Sequence, residues 1–236
     1  MKKTKKLHEG RRKKLYATTE ADQLILEFKD DPAAGEGTKA AAVKGRGSID
    51  KDLSAYLFDY LEGFHIPTHL IKNLNARDLL VRRLEMIPMK VMMYNMIAGN
   101  LDERYGIDAS KELNCPVMEF YLKDEKRNDP MINQSHVIAF NLATADEVHM
   151  IERLTSKINA ILKSFFLRRK LLLVHFTVEF GRYKNKIVLG DEISPATCYL
   201  WDAMKTTQIG KERSRPNYNE LELDYEEIKN RIFSKV

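Results

Sequence analysis

Glu179-Phe180-Gly181, followed by Asp191-Glu192-Ile193-Ser194-Pro195 and then Leu200-Trp201-Asp202, is the part of the sequence that decides the fold. It begins inside residues 171–180, where apolar and polar side chains alternate as in a β-strand with one buried face. Lys186–Leu189 is a second strand-like segment, and the few residues between the two can connect them as a hairpin. This part of the chain therefore predicts two antiparallel strands with carboxylates at their ends.

Two interpretations of these carboxylates are open. Glu179 shares a polar strand face with His175 and Thr177, and such a face can simply be exposed to solvent. Alternatively, Glu179 approaches Asp191 across the hairpin, and the two together hold Mg²⁺, which prefers hard oxygen ligands. The choice depends on the register of the hairpin, because a slip of one residue would part the two side chains.

The first third of the chain predicts strands followed by a helix. Arg12–Thr18 and Gln23–Lys29 are short strand candidates separated by a polar turn. Ser48 is predicted to cap a helix, in which apolar residues recur at helical spacing as far as Gly63. Leu79–Glu85 is predicted to form a further strand.

Pro88 is predicted to end that strand, and we place a domain boundary there, between a β-rich domain of residues 1–87 and a mixed domain of residues 88–236. In the second domain, Val117–Lys123 is a strand candidate, and Val137–Phe140 is its expected partner. Strands and helices alternate irregularly along the chain, which favours an α+β fold over a doubly wound parallel sheet.

Two helices are predicted in the second domain. Thr144 and Glu147 have the spacing of a capping box, and apolar residues follow at helical spacing as far as Phe165. Tyr218–Phe233, which mixes acidic and apolar residues, is predicted to form a terminal helix.

Composition excludes several classes of protein. No apolar run approaches the roughly 20 residues of a membrane helix, so no membrane partner is expected. Cys115 and Cys198 have no metal-type spacing, and free thiols fit a reducing, cytoplasmic location. The net charge of +5 is concentrated near the N-terminus. Because no nucleic-acid module accompanies it, we interpret these lysines as a small-anion site and expect no nucleic-acid partner.

The chain resembles the SAICAR synthetase family through motifs that occur in the same order from about Leu7 to Arg215. Besides the opening stretch, the shared residues are Leu26–Lys29 with Asp31, Ile87-Pro88, Asn95, Ala98-Gly99, Pro116, Lys123 and Asp129-Pro130-Met131-Ile132-Asn133. The resemblance implies a two-lobed fold with a kinase-like, antiparallel N-terminal sheet and ATP bound in a cleft between the lobes.

The resemblance also implies a reaction. The family uses ATP to join L-aspartate to the carboxylate of carboxyaminoimidazole ribotide (CAIR), giving SAICAR, ADP and phosphate in purine biosynthesis. It implies ATP and Mg²⁺ as cofactors, CAIR and L-aspartate as small-molecule partners, and association into homo-oligomers. The implied roles are ATP binding for Arg11, Lys13, Arg82, Leu84, Met86 and Lys123; metal binding for Glu179 and Asp191; catalysis for Lys123 and Asp129; and substrate binding for Tyr94, Asn100, Tyr199 and Arg215.

Several substrate-side positions depart from the family pattern. Each charge-assisted contact that is lost costs on the order of 1.5–3 kcal/mol. Two alternatives therefore stay open: a diverged ATP-dependent ligase or kinase with a less anionic acceptor, and a nucleotide-binding protein without catalysis. The departures are Tyr94 and Tyr199 in place of Arg, Thr177 in place of Lys, His175 and Ala196 in place of Asp, and Asn100 in place of Ser.

Overall fold

The computed structural model describes residues 1–30, 45–98, 100–107, 112–205 and 223–234, and the chain divides into two compact units. The first unit comprises Met1–Met86 and Phe180–Ser194, and the second comprises Ile87–Glu179 and Pro195–Val236. Antiparallel strand pairs and helices are both present, which confirms the α+β class predicted from the sequence.

A five-stranded antiparallel sheet and one long helix form most of the first unit. The strand order is β1-β2-β3-β5-β4, and the helix α1 packs against β3, β4 and β5 with its apolar face. The elements are β1 (Lys6–Glu9), β2 (Lys13–Ala17), β3 (Gln23–Phe28), α1 (Arg46–Glu62), β4 (Leu70–Asn73) and β5 (Asp78–Arg82).

The start of α1 differs from the prediction. The helix begins at Arg46, two residues before Ser48, and Gly45 occupies the N-cap position with φ of +89°. Ser48 does not cap this end; instead Asp30 Oδ1 accepts from the amide of Gly47 in the first turn at 2.9 Å. The predicted Ser48 cap is therefore wrong, because a left-handed glycine already turns the chain into the helix. The predicted end of the helix at Gly63 is close to the observed one, since Gly63 follows the last helical residue.

The segment Phe180–Ser194 clusters with the first unit, whereas the sequence-based division assigned it to the second domain. Backbone hydrogen bonds explain the difference. The amide of Leu189 donates to the carbonyl of Pro67 at 2.9 Å, and the amide of His69 donates to the carbonyl of Leu189 at 2.9 Å. A β-bridge between Thr68 and Leu189 completes the contact. These bonds join residues far apart in sequence, so local patterns do not reveal them.

The other strands belong to a six-stranded sheet of order β10-β9-β6-β7-β8, with β11 paired to β9. The helices α2 and α3 are short, and α4 is the longest of the helices that the structure describes. The elements are β6 (Glu85–Met96), α2 (Asn100–Tyr105), β7 (Glu112–Leu122), β8 (Met131–Ile132), α3 (Gln134–Ala139), α4 (Ala145–Leu167), β9 (Leu171–Tyr183), β10 (Lys186–Gly190), β11 (Cys198–Asp202) and α5 (Tyr225–Phe233).

Two predictions in this region are wrong. Pro88 does not break the chain, because it lies within β6, where its carbonyl accepts a hydrogen bond from the amide of Lys123 at 3.1 Å. Val137–Phe140 does not form a strand. Residues 137–139 belong to α3, and Asn133 caps that helix by accepting from the amide of His136. The partners of β7 are β6 and β8.

The prediction for α4 is confirmed. Thr144 and Glu147 form the reciprocal capping box, with bonds of 3.2 and 2.8 Å, and the predicted apolar stripe is buried. The terminal helix α5 begins at Tyr225 after an Asp224 cap, and residues 218–222 of the predicted helix lie outside the described residues. In the part of the chain that the structure describes, no helix has the length and apolar character needed to cross a membrane.

Candidate functional site

In the first unit, Lys13 lies between two carboxylates. Its ammonium group is 2.6 Å from Asp191 Oδ1 and 2.6 Å from Glu192 Oε1. Burial alone lowers the pKa of Lys13, but attraction to Asp191 and Glu192 outweighs burial and leaves the pKa raised. Lys13 therefore remains a cation at every physiological pH.

The segment 191–194 is held by several hydrogen bonds. Asp191 follows β10 with φ of +59°, a left-handed conformation that is costly for a residue with a side chain. The Ser194 hydroxyl donates to Glu192 Oε2 at 2.6 Å, and the Ser54 hydroxyl of α1 donates to the carbonyl of Ile193 at 3.2 Å. Asp191 and Glu192 are thus presented to Lys13 by a turn that α1 anchors.

Two further buried ionisable side chains, Asp50 and His69, lie near the cluster of Lys13, Asp191 and Glu192. Burial raises the pKa of Asp50 to about 7, and the charge of Glu192 adds to the rise. Burial lowers the pKa of His69 to about 4, so this imidazole is neutral at pH 7. Neither residue was predicted from the sequence to belong to the site. Their positions on α1 and at the bridge to Leu189 depend on long-range packing that periodicity does not encode.

The other predicted ATP-binding residues of the first unit have different surroundings. Arg11 is exposed. The Arg82 guanidinium donates to the carbonyls of Thr68 and Leu70 at 2.9 and 2.8 Å, so it fixes the start of β4. Leu84 and Met86 lie against Gly181, where an added Cβ would be 2.8 Å from Leu84 Cβ and 3.1 Å from Met86 Sδ. The glycine of the opening motif thus permits close packing of these two apolar side chains.

In the second unit, Lys123 and Glu179 form an ion pair. Lys123 Nζ is 2.6 Å from Glu179 Oε2. The carboxylate is mostly buried, with its side chain 14% exposed, whereas the side chain of Lys123 is 45% exposed. Lys123 directly follows β7. In this ion pair the lysine is therefore the more exposed partner and the carboxylate the more buried one.

Asp129 lies in the turn after β7. Its Oδ2 accepts from Lys90 Nζ at 2.7 Å, and its Oδ1 accepts from the amide of Asp124 at 2.8 Å. Burial alone raises the pKa of Asp129, but the bonds from Lys90 and Asp124 outweigh burial and lower the pKa. Asp129 is therefore an ionised carboxylate with both oxygens engaged. Lys90, which the sequence did not single out, is a neighbour of the predicted catalytic residue.

Four aromatic side chains form a cluster of ring contacts in the second unit, in which the His175 and Tyr199 rings are stacked and the other two ring pairs are tilted or edge to face. The His175 ring lies between Tyr94, with ring centres 5.4 Å apart, and Tyr199, with ring centres 5.1 Å apart. Tyr199 also contacts Trp201 edge to face at 6.0 Å. Tyr94 is fully buried among Ile97 and Leu101. Three of the positions that depart from the family pattern are therefore in mutual contact.

His175 predicts a specific pH dependence of stability. Burial lowers its pKa to about 4, from about 6.5 when unfolded. Between these values the unfolded chain binds the extra proton, so the contribution of His175 is present above pH 6.5 and is lost as the pH falls toward 4. His175→Phe removes this dependence. When the pH is lowered from 7.5 to 5, we expect the melting temperature of the wild type to fall by roughly 4–8 °C more than that of His175→Phe.

Phenylalanine suits this position, because Nδ1 of His175 has no hydrogen-bond partner within the described residues. Differential scanning calorimetry of both proteins at the two pH values provides the measurement, with His149→Phe, at an exposed position of α4, as the control. A wild type and a His175→Phe protein with parallel pH profiles would contradict the prediction.

Two predicted substrate-binding residues cannot be placed. Arg215 lies outside the described residues. Asn100 begins α2, and its side chain is not described. Among the described residues, no three His, Cys, Asp or Glu side chains are grouped so as to hold a metal ion. Glu179 and Asp191 each carry carboxylate oxygens, the hard ligands that Mg²⁺ prefers. In the structure each carboxylate is occupied by a lysine ammonium group at 2.6 Å.

Comparisons with known proteins identify the family of the chain. The SAICAR synthetase family model matches residues 6–232. The chain belongs to the SAICAR synthetase family. The phosphoribosylaminoimidazole-succinocarboxamide synthase of Chlorobium limicola is 42% identical over 235 residues, which is the whole of both chains. The family assignment made from the motifs is thereby confirmed.

Solved structures of SAICAR synthetases have the same fold. The enzyme from Ehrlichia chaffeensis is 33% identical, with a TM-score of 0.84, covering 97% of this chain and 98% of its own. A SAICAR synthetase in complex with ADP is 38% identical, also with a TM-score of 0.84, covering 96% of this chain and 97% of its own. The predicted SAICAR synthetase-like fold is therefore confirmed over nearly the full length of the chain.

Proposed function

We propose that this chain is an ATP-dependent carbon–nitrogen ligase that joins L-aspartate to the carboxylate of CAIR, giving SAICAR, ADP and phosphate in purine biosynthesis. The full-length match to the Chlorobium limicola synthase carries this proposal. The charged groups of both units support it, because phosphoryl chemistry depends on cations that neutralise phosphate oxygens.

Lys13 and Lys123 are the proposed ligands of the ATP phosphates. Each is bound to carboxylates at 2.6 Å, so each has its ammonium group held in a defined place. When phosphates bind, these ammonium groups would exchange part of their contact with Asp191 and Glu179 for phosphate oxygens. The carboxylates would then be free to bind a metal. Arg11, which is exposed beside Lys13, is proposed as a further cation for the same phosphates.

Glu179 and Asp191 are each proposed as a carboxylate ligand of Mg²⁺. The ion usually takes only one or two protein carboxylates and completes its shell with water and phosphate oxygens, so a larger cluster of acidic side chains is not required. When bound, it would supply neutralisation of charge on the transferred phosphoryl group. Leu84 and Met86 are the proposed apolar contacts of the adenine ring, and Met86 is 40% exposed despite its apolar character. Arg82 is proposed to support them by fixing β4.

The proposed reaction has two steps. The CAIR carboxylate first attacks the γ-phosphorus of ATP, and the bond to the leaving ADP breaks. The aspartate amine then attacks the acyl carbon of the resulting acyl phosphate, and phosphate leaves with one former carboxylate oxygen. The nitrogen must lose one proton as the amide forms. Asp129, an ionised carboxylate, is proposed to accept that proton, and Lys123 to stabilise charge on the phosphate.

A second candidate function rests on the aromatic cluster. Tyr94 and Tyr199 are proposed substrate-binding residues together with Asn100 and Arg215, yet the rings of Tyr94 and Tyr199 contact His175 and carry no positive charge. Such surroundings suit a less anionic acceptor than a ribotide. The diverged ligase or kinase therefore remains the alternative. A cytoplasmic location, predicted from the free thiols, and a homo-oligomeric state, implied by the family, stay predictions.

Release of ADP by the purified protein tests the proposal. The assay contains Mg-ATP, CAIR and L-aspartate, and each is omitted in turn. We expect multiple-turnover release only when all are present. Release that is independent of aspartate would favour the kinase. Binding of ATP, detected by a thermal shift, without any release would favour a nucleotide-binding protein without catalysis.

A further inference from the structure

Lys90 lies beside the carboxylate to which the proposed function assigns the proton transfer. Its ammonium group is 2.7 Å from Asp129 Oδ2 and lies over the Tyr121 ring, 5.9 Å from the ring centre. Lys90 and Tyr121 are directly opposite each other in the β6–β7 register. The lysine thus extends from a rigid pair of strands and not from a loop.

Asp129, in contrast, lies in a strained turn. Asn128 and Asp129 are consecutive residues with φ of +55° and +43°, in the left-handed region that side chains disfavour. Such conformations cost on the order of 1–3 kcal/mol each and persist only where surrounding contacts hold them. The amide of Asp129 donates to the carbonyl of Asp124 at 3.0 Å, and the amide of Asp124 donates to Asp129 Oδ1.

The two carboxylate oxygens of Asp129 are held in different ways, one by the backbone and the other by a side chain. The backbone of the turn holds Oδ1, and Lys90 holds Oδ2. The side chain of Lys90 is 30% exposed and that of Asp129 is 26% exposed, so the pair is partly screened from water and remains accessible to a substrate. An ammonium group at this distance favours the ionised form of a carboxylate.

We propose that Lys90 is a positioning residue of the ligation reaction, which fixes Asp129 as an oriented carboxylate ready to accept the proton of the aspartate amine. The inference rests on the proposed function. Lys90 makes no bond to the reacting atoms in this account. It acts through Asp129, whose oxygen it aligns and whose negative charge it stabilises.

Lys90→Met and Lys90→Arg test the inference. Methionine keeps the length and the packing on Tyr121 but removes the charge. We expect kcat to fall by about 10–100-fold, as is typical when the hydrogen-bond partner of a functional group is removed. The acid limb of the pH profile of kcat should move upward by about one pH unit, because Asp129 loses its nearest cation. The KM for ATP should stay within about twofold.

Arginine should restore most of kcat and the position of the acid limb, since it retains the charge. Lys229→Met removes a partly exposed lysine of α5, which is 3.9 Å from Glu226, and serves as the matched control with unchanged kinetics. A purely structural role of Lys90 would change the melting temperature without moving the acid limb.

The outcomes separate the two proposals. If the wild type turns over only with both CAIR and aspartate while Lys90→Met keeps the wild-type profile, the inference about Lys90 is overturned and the proposed function stands. The inference is also overturned if Lys90→Arg is as impaired as Lys90→Met. A wild type without turnover would overturn both. If Lys90→Met does not fold, Lys90→Gln takes its place under the same criteria: a reduced kcat with an acid limb displaced upward supports the inference, and a wild-type profile overturns it.

Discussion

Replacement of Lys13 by methionine is expected to abolish turnover and to destabilise the first unit. The substitution leaves Asp191 and Glu192 without the ammonium group that lies 2.6 Å from each, and the Glu192 side chain is only 3% exposed. Removing one partner of a buried ion pair costs about 3–5 kcal/mol, because the remaining charge is not compensated. For a chain of this length, we expect the melting temperature to fall by roughly 6–20 °C.

The loss of activity has a separate cause, since Lys13 is a proposed ligand of the ATP phosphates. Calorimetry and ADP release are measured for Lys13→Met and Lys13→Arg. The arginine variant keeps the charge, so it should retain most of the stability while losing part of the activity through its different shape. A Lys13→Met protein that melts like the wild type would show that Asp191 and Glu192 do not depend on this lysine.

Replacement of Tyr94 by arginine is expected to destabilise the second unit strongly, although arginine is the residue that the family pattern implies at this position. The Tyr94 ring is fully buried among Ile97 and Leu101. The nearby carboxylate, Glu119, already accepts two bonds from Arg104, at 2.8 and 2.7 Å. A new guanidinium would therefore be buried without a free partner, at a cost of several kcal/mol.

Tyr199 provides the contrast, because it is only partly buried. We expect Tyr199→Arg to fold. Tyr94→Arg should lose about 3 kcal/mol of stability or more, so its melting temperature should lie at least roughly 6 °C below that of the wild type. Tyr94→Phe, which keeps the ring, is the control and should change stability by no more than about 1.5 kcal/mol. Calorimetry and the KM for CAIR are the measurements. A stable Tyr94→Arg protein with a lower KM for CAIR would contradict the claim that the buried position of Tyr94 cannot hold a guanidinium group.

Local sequence patterns are sufficient to predict several helices and strands. The Thr144–Glu147 capping box and the apolar stripe behind it predict α4, and alternation predicts β9. These features depend on neighbouring residues alone. Val137–Phe140 was mistaken for a strand because its apolar residues favour strands, while the Asn133 cap that begins α3 lies just outside the segment.

The site depends on contacts that the sequence does not encode locally. Lys13 meets Asp191 across 178 positions, and Lys90 meets Asp129 across 39. His175, Tyr94 and Tyr199 come from three different strands, β9, β6 and β11. Each could be recognised as a departure from the family pattern, but the contacts of His175 with the two tyrosines follow only from the pairing of the strands. The predicted roles of the site residues remain predictions that kinetics must test.

The most direct test of the ligase proposal follows ¹⁸O from the carboxylate of CAIR during turnover with Mg-ATP and L-aspartate. The proposed reaction predicts that each phosphate released carries one labelled oxygen, and that ADP, phosphate and SAICAR form in equal amounts. Phosphate without the label, or turnover that does not need CAIR, would contradict the assignment of this chain as a ligase that activates the CAIR carboxylate.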